Sequence, residues 1–292
     1  MIKSGRSLRL ARLLKGGHEP LLLVPMDHTL TDGPFTDAQR YDRLQSILAA
    51  NGADAIVVHK GRLGLLNPLV YERIAVVVHI SASTRYAPDP NYKYQVGDAE
   101  DCLRRGADAI SVHVNLGSVT EDQQIRMMAN TADACDRAGL PLIAMIYPRG
   151  PGVTDRSRLE TVMHAAALAA DLGVDIVKLP LGGPIDEMRQ VVASCPIPIV
   201  TAGGAQVPDV DFNQFVANVM KAGARGIAAG RNIFMSADPT AKVREVRKLL
   251  DANYVGAPIR ASLAGAIADQ TVQAGGLLHS SLPLLDQRGV NA

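Results

Sequence analysis

Four places along this 292-residue chain carry one local pattern: Gly52-Ala-Asp-Ala-Ile, Gly106-Ala-Asp-Ala-Ile, Gly173-Val-Asp-Ile-Val and Gly223-Ala-Arg-Gly-Ile. Each glycine stands where a helix should stop, because glycine enters the left-handed conformation with no Cβ to clash. Two or three residues later an apolar, β-branched run begins. Eight such runs are present: Leu22–Met26, Ala55–His59, Ala75–Ile80, Ala109–Val114, Leu142–Tyr147, Val174–Leu179, Ile197–Thr201 and Gly226–Ala229. They lack polar alternation, which suits parallel strands buried on both faces. Strand, helix and glycine stop repeated in this way mark βα units.

The stretches between the runs read as helices. Ser118 and Glu121 form a capping box that opens a helix to about Arg137. Thr154 can cap a helix through Ala170, and Asp211 one through Val219. Eight strands, each followed by a helix, predict an α/β chain with a (β/α)8 barrel over residues 1–252. An open doubly wound sheet is the alternative, but the first βα turn, Asp27-His-Thr-Leu-Thr-Asp-Gly33, lacks the glycine fingerprint of a dinucleotide site. Residues 253–292 form a C-terminal extension with one short helical stretch, Ile259–Gln270, read either as an irregular tail or as an arm packing on another subunit.

Composition narrows the function classes. At 47% hydrophobic and 20% charged, the chain can build a full core. Thirty basic residues against twenty-nine acidic ones offer no electrostatic reason to bind nucleic acid or an anionic membrane. No apolar run approaches the roughly 20 residues that span a bilayer, and no apolar core of a secretory signal follows the basic N-terminus. Cys102, Cys135 and Cys195 show neither CxxC spacing nor an even count, which reads as buried thiols of a reduced, cytoplasmic protein.

In a barrel the chemistry gathers at the C-terminal ends of the strands. The eight runs end at Asp27-His28, His59-Lys60, His79, His113 and Asn115, Tyr147-Pro-Arg149, Lys178, Gly203-Gly204, and Gly230-Arg231-Asn232. Lys178 is notable because lysine is seldom buried without a partner or a task. Desolvation favours its free amine, which attacks a ketone to form a Schiff base. Position alone leaves this reading level with a lysine that snorkels outward or pairs with a carboxylate such as Asp27. A phenol at Tyr147 and a carboxylate at Asp27 are the groups an aldol step needs for proton shuttling. Gly203 and Gly204 let backbone N–H groups approach an anion, and Gly230 with Arg231 can open a helix whose N-terminus attracts phosphate. His28, His59, His79 and His113 raise the competing idea of a metal-bound enediolate, but HxH and HExxH ligand pairs are missing. No metal or cofactor is assigned. Arg149, His113 and His28 are candidates for substrate contacts, while His18, His164 and His279 stay unassigned.

Seven segments then point to a family: Val24-Pro-Met-Asp-His28, Val78-His-Ile-Ser-Ala-Ser-Thr84, Pro88-Asp-Pro-Asn91, Ser111-Val-His-Val-Asn115, Met145-Ile-Tyr-Pro-Arg-Gly150, Asp175-Ile-Val-Lys178 and Ala229-Gly-Arg-Asn-Ile-Phe234. Together they resemble the class I aldolases of the archaeal fructose-bisphosphate aldolase type, over roughly residues 5 to 250. The resemblance implies that Lys178 is the Schiff-base lysine, Tyr147 the proton-transfer phenol and Asp27 the acid/base carboxylate. It also implies phosphate on Gly203, Gly204, Gly230 and Arg231, and homo-oligomeric rings, often decamers built from pentamers. Fructose-bisphosphate aldolases of this type usually carry tryptophan two residues before the tyrosine; this chain has Met145 there and no tryptophan at all. Ser81-Ala-Ser-Thr84 with Pro88-Asp-Pro-Asn91 is similar instead to the 2-amino-3,7-dideoxy-D-threo-hept-6-ulosonate synthases, and to bacterial aldolases of aminohydroxybenzoate-type pathways.

What the resemblance implies is a lysine-dependent aldolase or transaldolase. It would join a phosphorylated ketone, either dihydroxyacetone phosphate or a deoxy-keto-hexose phosphate, to L-aspartate semialdehyde. The alternatives are a fructose-bisphosphate aldolase of the same mechanism, a metal-dependent lyase, and a sugar-phosphate sensor without turnover.

Overall fold

The apolar runs do pair with one another as parallel strands. The computed structural model describes residues 4–17, 19–155 and 159–255. Its barrel strands are β1 (Leu21–Pro25), β2 (Ala55–His59), β3 (Ala75–His79), β6 (Ala109–Leu116), β7 (Leu142–Pro148), β8 (Ile176–Leu179), β9 (Ile199–Ala202) and β10 (Gly226–Ala228). They close in the order β1-β10-β9-β8-β7-β6-β3-β2, giving the predicted (β/α)8 barrel. The glycine stops hold: Gly52, Gly106, Gly173 and Gly223 have φ of +102°, +100°, +80° and +94°. One feature escapes the sequence pattern. After β3 the chain makes a small antiparallel pair, β4 (Ser81–Ala82) and β5 (Tyr94–Gln95), too short to leave a periodicity.

Alternate strand residues face inward. Leu21 and Leu23, Ala55 and Val57, Ala75 and Val77, Ala109, Ile143 and Met145, and Ile176 fill the lumen. Leu10, Leu13 and Leu14 from the helix Gly5–Leu13 and its C-cap close it from below. The residues between, such as Leu22, Ile56, Val76 and Val177, join the outer core shared with the helices. The same two-residue step, continued upward, brings His59, His79, His113, Tyr147 and Lys178 to the inner side of the C-terminal rim.

The aspartates of the repeated pattern secure the opposite rim. Asp54, Asp108 and Asp175 accept the N–H groups of Leu22, Val76 and Leu142 at 2.6, 2.8 and 2.8 Å. Asp54 pairs with Lys15 (2.7 Å) and Arg247 (3.0 Å), Asp108 with Arg12 (2.8 Å) and Asp175 with Arg6 (2.9 Å). The fourth copy has Arg225, which donates to the Leu14 carbonyl at 3.0 Å and to the Tyr254 hydroxyl.

Several expected boundaries shift. Strand β8 starts at Ile176 because Asp175 is held back by the Leu142 N–H. The helix Glu121–Ala138 is entered from Thr120 and not Ser118. Glu121 accepts from the Gly117 N–H, while Ser118 Oγ takes the Thr120 N–H at 3.2 Å. The helix Asp209–Lys221 begins two residues before Asp211, following Pro208. The residues linking Thr154 to the helix Leu159–Asp171, and the extension beyond Val255, lie outside the described residues. Among those described, the cysteines are free, with Cys102 and Cys135 buried, and no helix is long and apolar enough to cross a membrane.

Candidate active site

A cavity of about 370 Å³ opens at the C-terminal rim, and all the predicted site residues line it: Asp27, His28, His113, Tyr147, Arg149, Lys178, Gly203, Gly204, Gly230 and Arg231. At its base Lys178 is 6% exposed. Its strand neighbour is Met145, and Nζ lies 3.9 Å from Met145 Sδ. Among the described residues it forms no ion pair, so it neither snorkels outward nor binds Asp27. A buried lysine amine with no ion-pair partner is an expensive arrangement and marks a group kept for something else.

Asp27 stands two residues beyond the end of β1. Burial alone would raise its carboxyl, but electrostatic coupling to His79 first, then to His28, Lys178 and His59, outweighs that and holds it below 3.8. An ionised carboxylate thus shares the cavity with Lys178. Tyr147 sits two residues beyond Met145 on the same face of β7. Its ring is tilted against that of His113 at 5.0 Å, and the Arg149 guanidinium carbon lies 5.8 Å from its centre.

Three histidines are built into the rim. His59 Nδ1 meets the His79 carbonyl, His79 Nδ1 meets Ser111 Oγ and His113 Nε2 meets Asn115 Oδ1, each at 2.9 Å. Asn115 spends its amide hydrogens on the Asn91 carbonyl at 2.7 Å, so its oxygen accepts and His113 carries its proton on Nε2. Burial pushes His79 down to about 4 and His113 well below 6.5, which leaves both rings neutral near pH 7. Among the described residues no three His, Cys, Asp or Glu side chains gather as a metal site would require. His28 differs from the other three. Its buried Nδ1 has no hydrogen-bond partner and lies 3.8 Å from Asp27 Oδ1.

The glycines of the proposed phosphate cradle play unequal parts. The Gly203 N–H donates to the Ala228 carbonyl at 2.9 Å, so it is committed to the barrel wall and not open to an anion. Gly203 is required for closeness, since a Cβ there would lie 3.0 Å from Ala229 Cα. Gly204 turns the chain at φ +72°, and Arg231 donates to its carbonyl at 3.2 Å. Asn232 fastens the two loops together, donating to the Gly203 and Ala205 carbonyls at 2.9 Å and accepting from the Val207 N–H at 3.0 Å. Lys93, which the strand-end pattern does not reach, also lines the cavity and is 7% exposed.

Comparison with known proteins identifies the family. A family model described as DeoC/LacD family aldolase matches residues 21–236. A 2-amino-4,5-dihydroxy-6-oxo-7-(phosphonooxy)heptanoate synthase of Streptomyces griseus is 45% identical over 264 residues, covering 90% of this chain and 96% of that protein. A 2-amino-3,7-dideoxy-D-threo-hept-6-ulosonate synthase 1 of Archaeoglobus fulgidus is 39% identical, covering 85% and 92%. Among solved structures, an archaeal fructose 1,6-bisphosphate aldolase superposes with a TM-score of 0.76 at 23% identity, over 85% of this chain and 99% of that one, a likeness of fold.

Proposed function

The chain belongs to the DeoC/LacD aldolase family, and from that premise we propose that it joins dihydroxyacetone phosphate to L-aspartate semialdehyde through an imine on Lys178. The observation that carries this reading is Lys178 itself, buried, without an ion pair among the described residues and sharing one cavity with Asp27 and Tyr147. In the free-amine form its Nζ adds to the ketone carbon, and the resulting carbinolamine hydroxyl leaves as water with a proton supplied by Tyr147. The iminium then draws electrons from the neighbouring hydroxymethyl carbon, whose departing proton passes to the ionised Asp27. The enamine carbon attacks the aldehyde carbon, and Asp27 returns the proton to the new alkoxide. Water adds to the iminium, releasing the product ketone, restoring the amine and returning to Tyr147 the proton it supplied.

The choice of substrates rests on carbon counting. The product named for the Streptomyces griseus relative is a seven-carbon chain with a carboxylate and 2-amino group at one end, and a 6-oxo and 7-phosphate at the other. Cut between its two hydroxylated carbons, it divides into dihydroxyacetone phosphate and a four-carbon amino aldehyde. Gly204, Gly230 and Arg231 would hold the phosphate, with Gly203 and Asn232 fixing the loops. Met145 beside Lys178 leaves that side of the imine without the tryptophan expected of a fructose-bisphosphate aldolase. The Archaeoglobus fulgidus relative favours a deoxy-keto-hexose phosphate as the second donor to try.

Borohydride reduction in the presence of dihydroxyacetone phosphate should fix the ketone to Lys178, and mass spectrometry of the full reaction should find the seven-carbon product. Equal labelling of Lys178→Met would remove the imine assignment. A product formed only from the deoxy-keto-hexose phosphate would move the donor.

A further inference from the structure

We propose that Lys93 and Arg149 form a second anion subsite that holds the carboxylate of the acceptor aldehyde, an inference that rests on the aldolase reading above. Lys93 lies between β4 and β5, in the segment that follows β3. It is 7% exposed, faces the cavity, and has neither an ion pair nor a hydrogen bond among the described residues. Arg149 lies just beyond β7 and also lines the cavity. Its backbone N–H is fixed to the Leu116 carbonyl at 2.8 Å, and its guanidinium stands over Tyr147 with no carboxylate in ion-pairing range among the described residues.

Two cations sharing a wall repel each other, and burial deepens the penalty. The proton affinity of Lys93 registers both effects, lowered by burial first and by Arg149 next, with Asp32, Asp89 and Asp27 opposing from a distance. His113 beside them is held neutral by burial and by Lys93, so it adds no third charge. A carboxylate bound between the two cations would offset that repulsion at close range, which none of the three aspartates does through an ion pair. The ring order places the segment correctly for this task. Counting around the barrel, β3 stands opposite β9, so the Lys93 segment faces the Gly203–Gly204 loop across the mouth. Lys178 on β8 lies between them. A substrate pair anionic at both ends, phosphate at the cradle and carboxylate at Lys93, would set its two reacting carbons over the imine. Arg149 can grip a carboxylate with two parallel N–H donors, while Lys93 supplies a compact point charge.

The test uses L-homoserine, the unreactive alcohol analogue of the aldehyde, and its lactone, which lacks the carboxylate. Calorimetric titration should show the wild type binding L-homoserine more tightly than the lactone. Lys93→Met and Arg149→Met should each weaken L-homoserine at least tenfold and leave the lactone as it was. In steady-state assays the same variants should raise KM for the carboxylate-bearing aldehyde more than KM for dihydroxyacetone phosphate. Equal binding of L-homoserine by wild type and both variants, or a wild type indifferent to the carboxylate, would overturn the subsite. The borohydride experiment reports separately on the imine, because it needs the ketone alone. Labelling of Lys178 with no carboxylate effect removes the subsite and keeps the aldolase, and carboxylate-dependent binding without labelling does the reverse.

Discussion

At the N-terminal rim of the barrel, Asp54, Asp108 and Asp175 are 8%, 6% and 9% exposed, and each has a backbone N–H donor and a basic side chain. At the C-terminal rim, Lys178 and Lys93 are as deeply buried, at 6% and 7%, and neither forms an ion pair among the described residues. The two ends therefore share a degree of burial and differ in compensation. A paired buried charge fixes strand register and orients the helix that plugs the floor. An unpaired one is held in place by the remainder of the fold and stays available to a ligand. Burial alone would not tell these apart; only the partner list does.

The sharpest way to break that contrast is to remove one charge from each rim. Lys178→Met should abolish turnover, about four orders of magnitude in kcat/KM or more, equivalent to about 5 kcal/mol of barrier. Its melting temperature should hold or rise, because a buried polar group without an ion-pair partner is replaced by an apolar chain of similar length. Asp175→Ala should behave in the opposite sense. It strands the Leu142 N–H and leaves the Arg6 guanidinium with only Asp136 and the Gly173 carbonyl, costing about 2 kcal/mol of stability while leaving kcat near wild type at low temperature. Scanning calorimetry beside a steady-state assay reads both variants. A Lys178→Met protein that melts well below wild type would show that the upper rim is structural as well.

Acid provides a graded version of the same comparison. His79 is forced down from 6.5 to about 4 by burial, with Asp27 opposing and His59 and Lys178 assisting. A histidine whose folded value lies below its unfolded one binds protons preferentially when unfolded. The stability it preserves is complete above about pH 6.5 and disappears as the pH falls towards 4. At about 1.4 kcal/mol for each tenfold change in proton affinity, that amounts to about 3 kcal/mol. Asp27, held below 3.8, contributes its loss only at still lower pH and does not overlap. Denaturant midpoints followed from pH 7 to pH 4.5 should fall steadily, and His79→Gln should flatten the slope. An unchanged slope in that variant would mean that His113 and His28 carry the acid sensitivity.

How far the sequence discloses these features depends on whether strand parity controls them. Asp27, Tyr147 and Lys178 were legible because each continues or directly follows an apolar strand whose inward step is set by its own residues. The four glycine stops were legible for the same local reason. The aspartates two positions later were not, since their cations come from the N-terminal helix, the turn after it and, for Asp54, also from Arg247, and Arg6 is 169 residues from Asp175. Lys93 was hidden because two-residue strands leave no pattern, and its place over the mouth is decided by the β4–β5 pairing. Gly203 was read as an anion donor although its N–H is already bonded, a difference visible only once β9 and β10 are side by side.

Gly230 supplies the mildest test, because it touches both halves of the contrast: ligand geometry above and strand packing below. A Cβ at this position would stand 2.7 Å from the Pro25 carbonyl oxygen, 3.0 Å from Phe234 Cε1 and 3.1 Å from His28 Cε1. The first neighbour is backbone and cannot swing away, so Gly230→Ala must move its own loop outward. That displaces the Arg231 N–H and guanidinium from the phosphate position while Lys178 and Asp27, on other strands, stay in place. KM for dihydroxyacetone phosphate should rise about tenfold, or about 1.4 kcal/mol, with kcat changing much less. Inorganic phosphate should lose potency as an inhibitor in the same proportion. Gly64→Ala, where an added Cβ meets nothing within 4 Å, is the matched control and should leave both constants at wild-type values. If Gly230→Ala lowers kcat and spares KM, then the loop positions Asp27 and His28 and does not bind the phosphate, and the anion would have to be sought elsewhere on the rim.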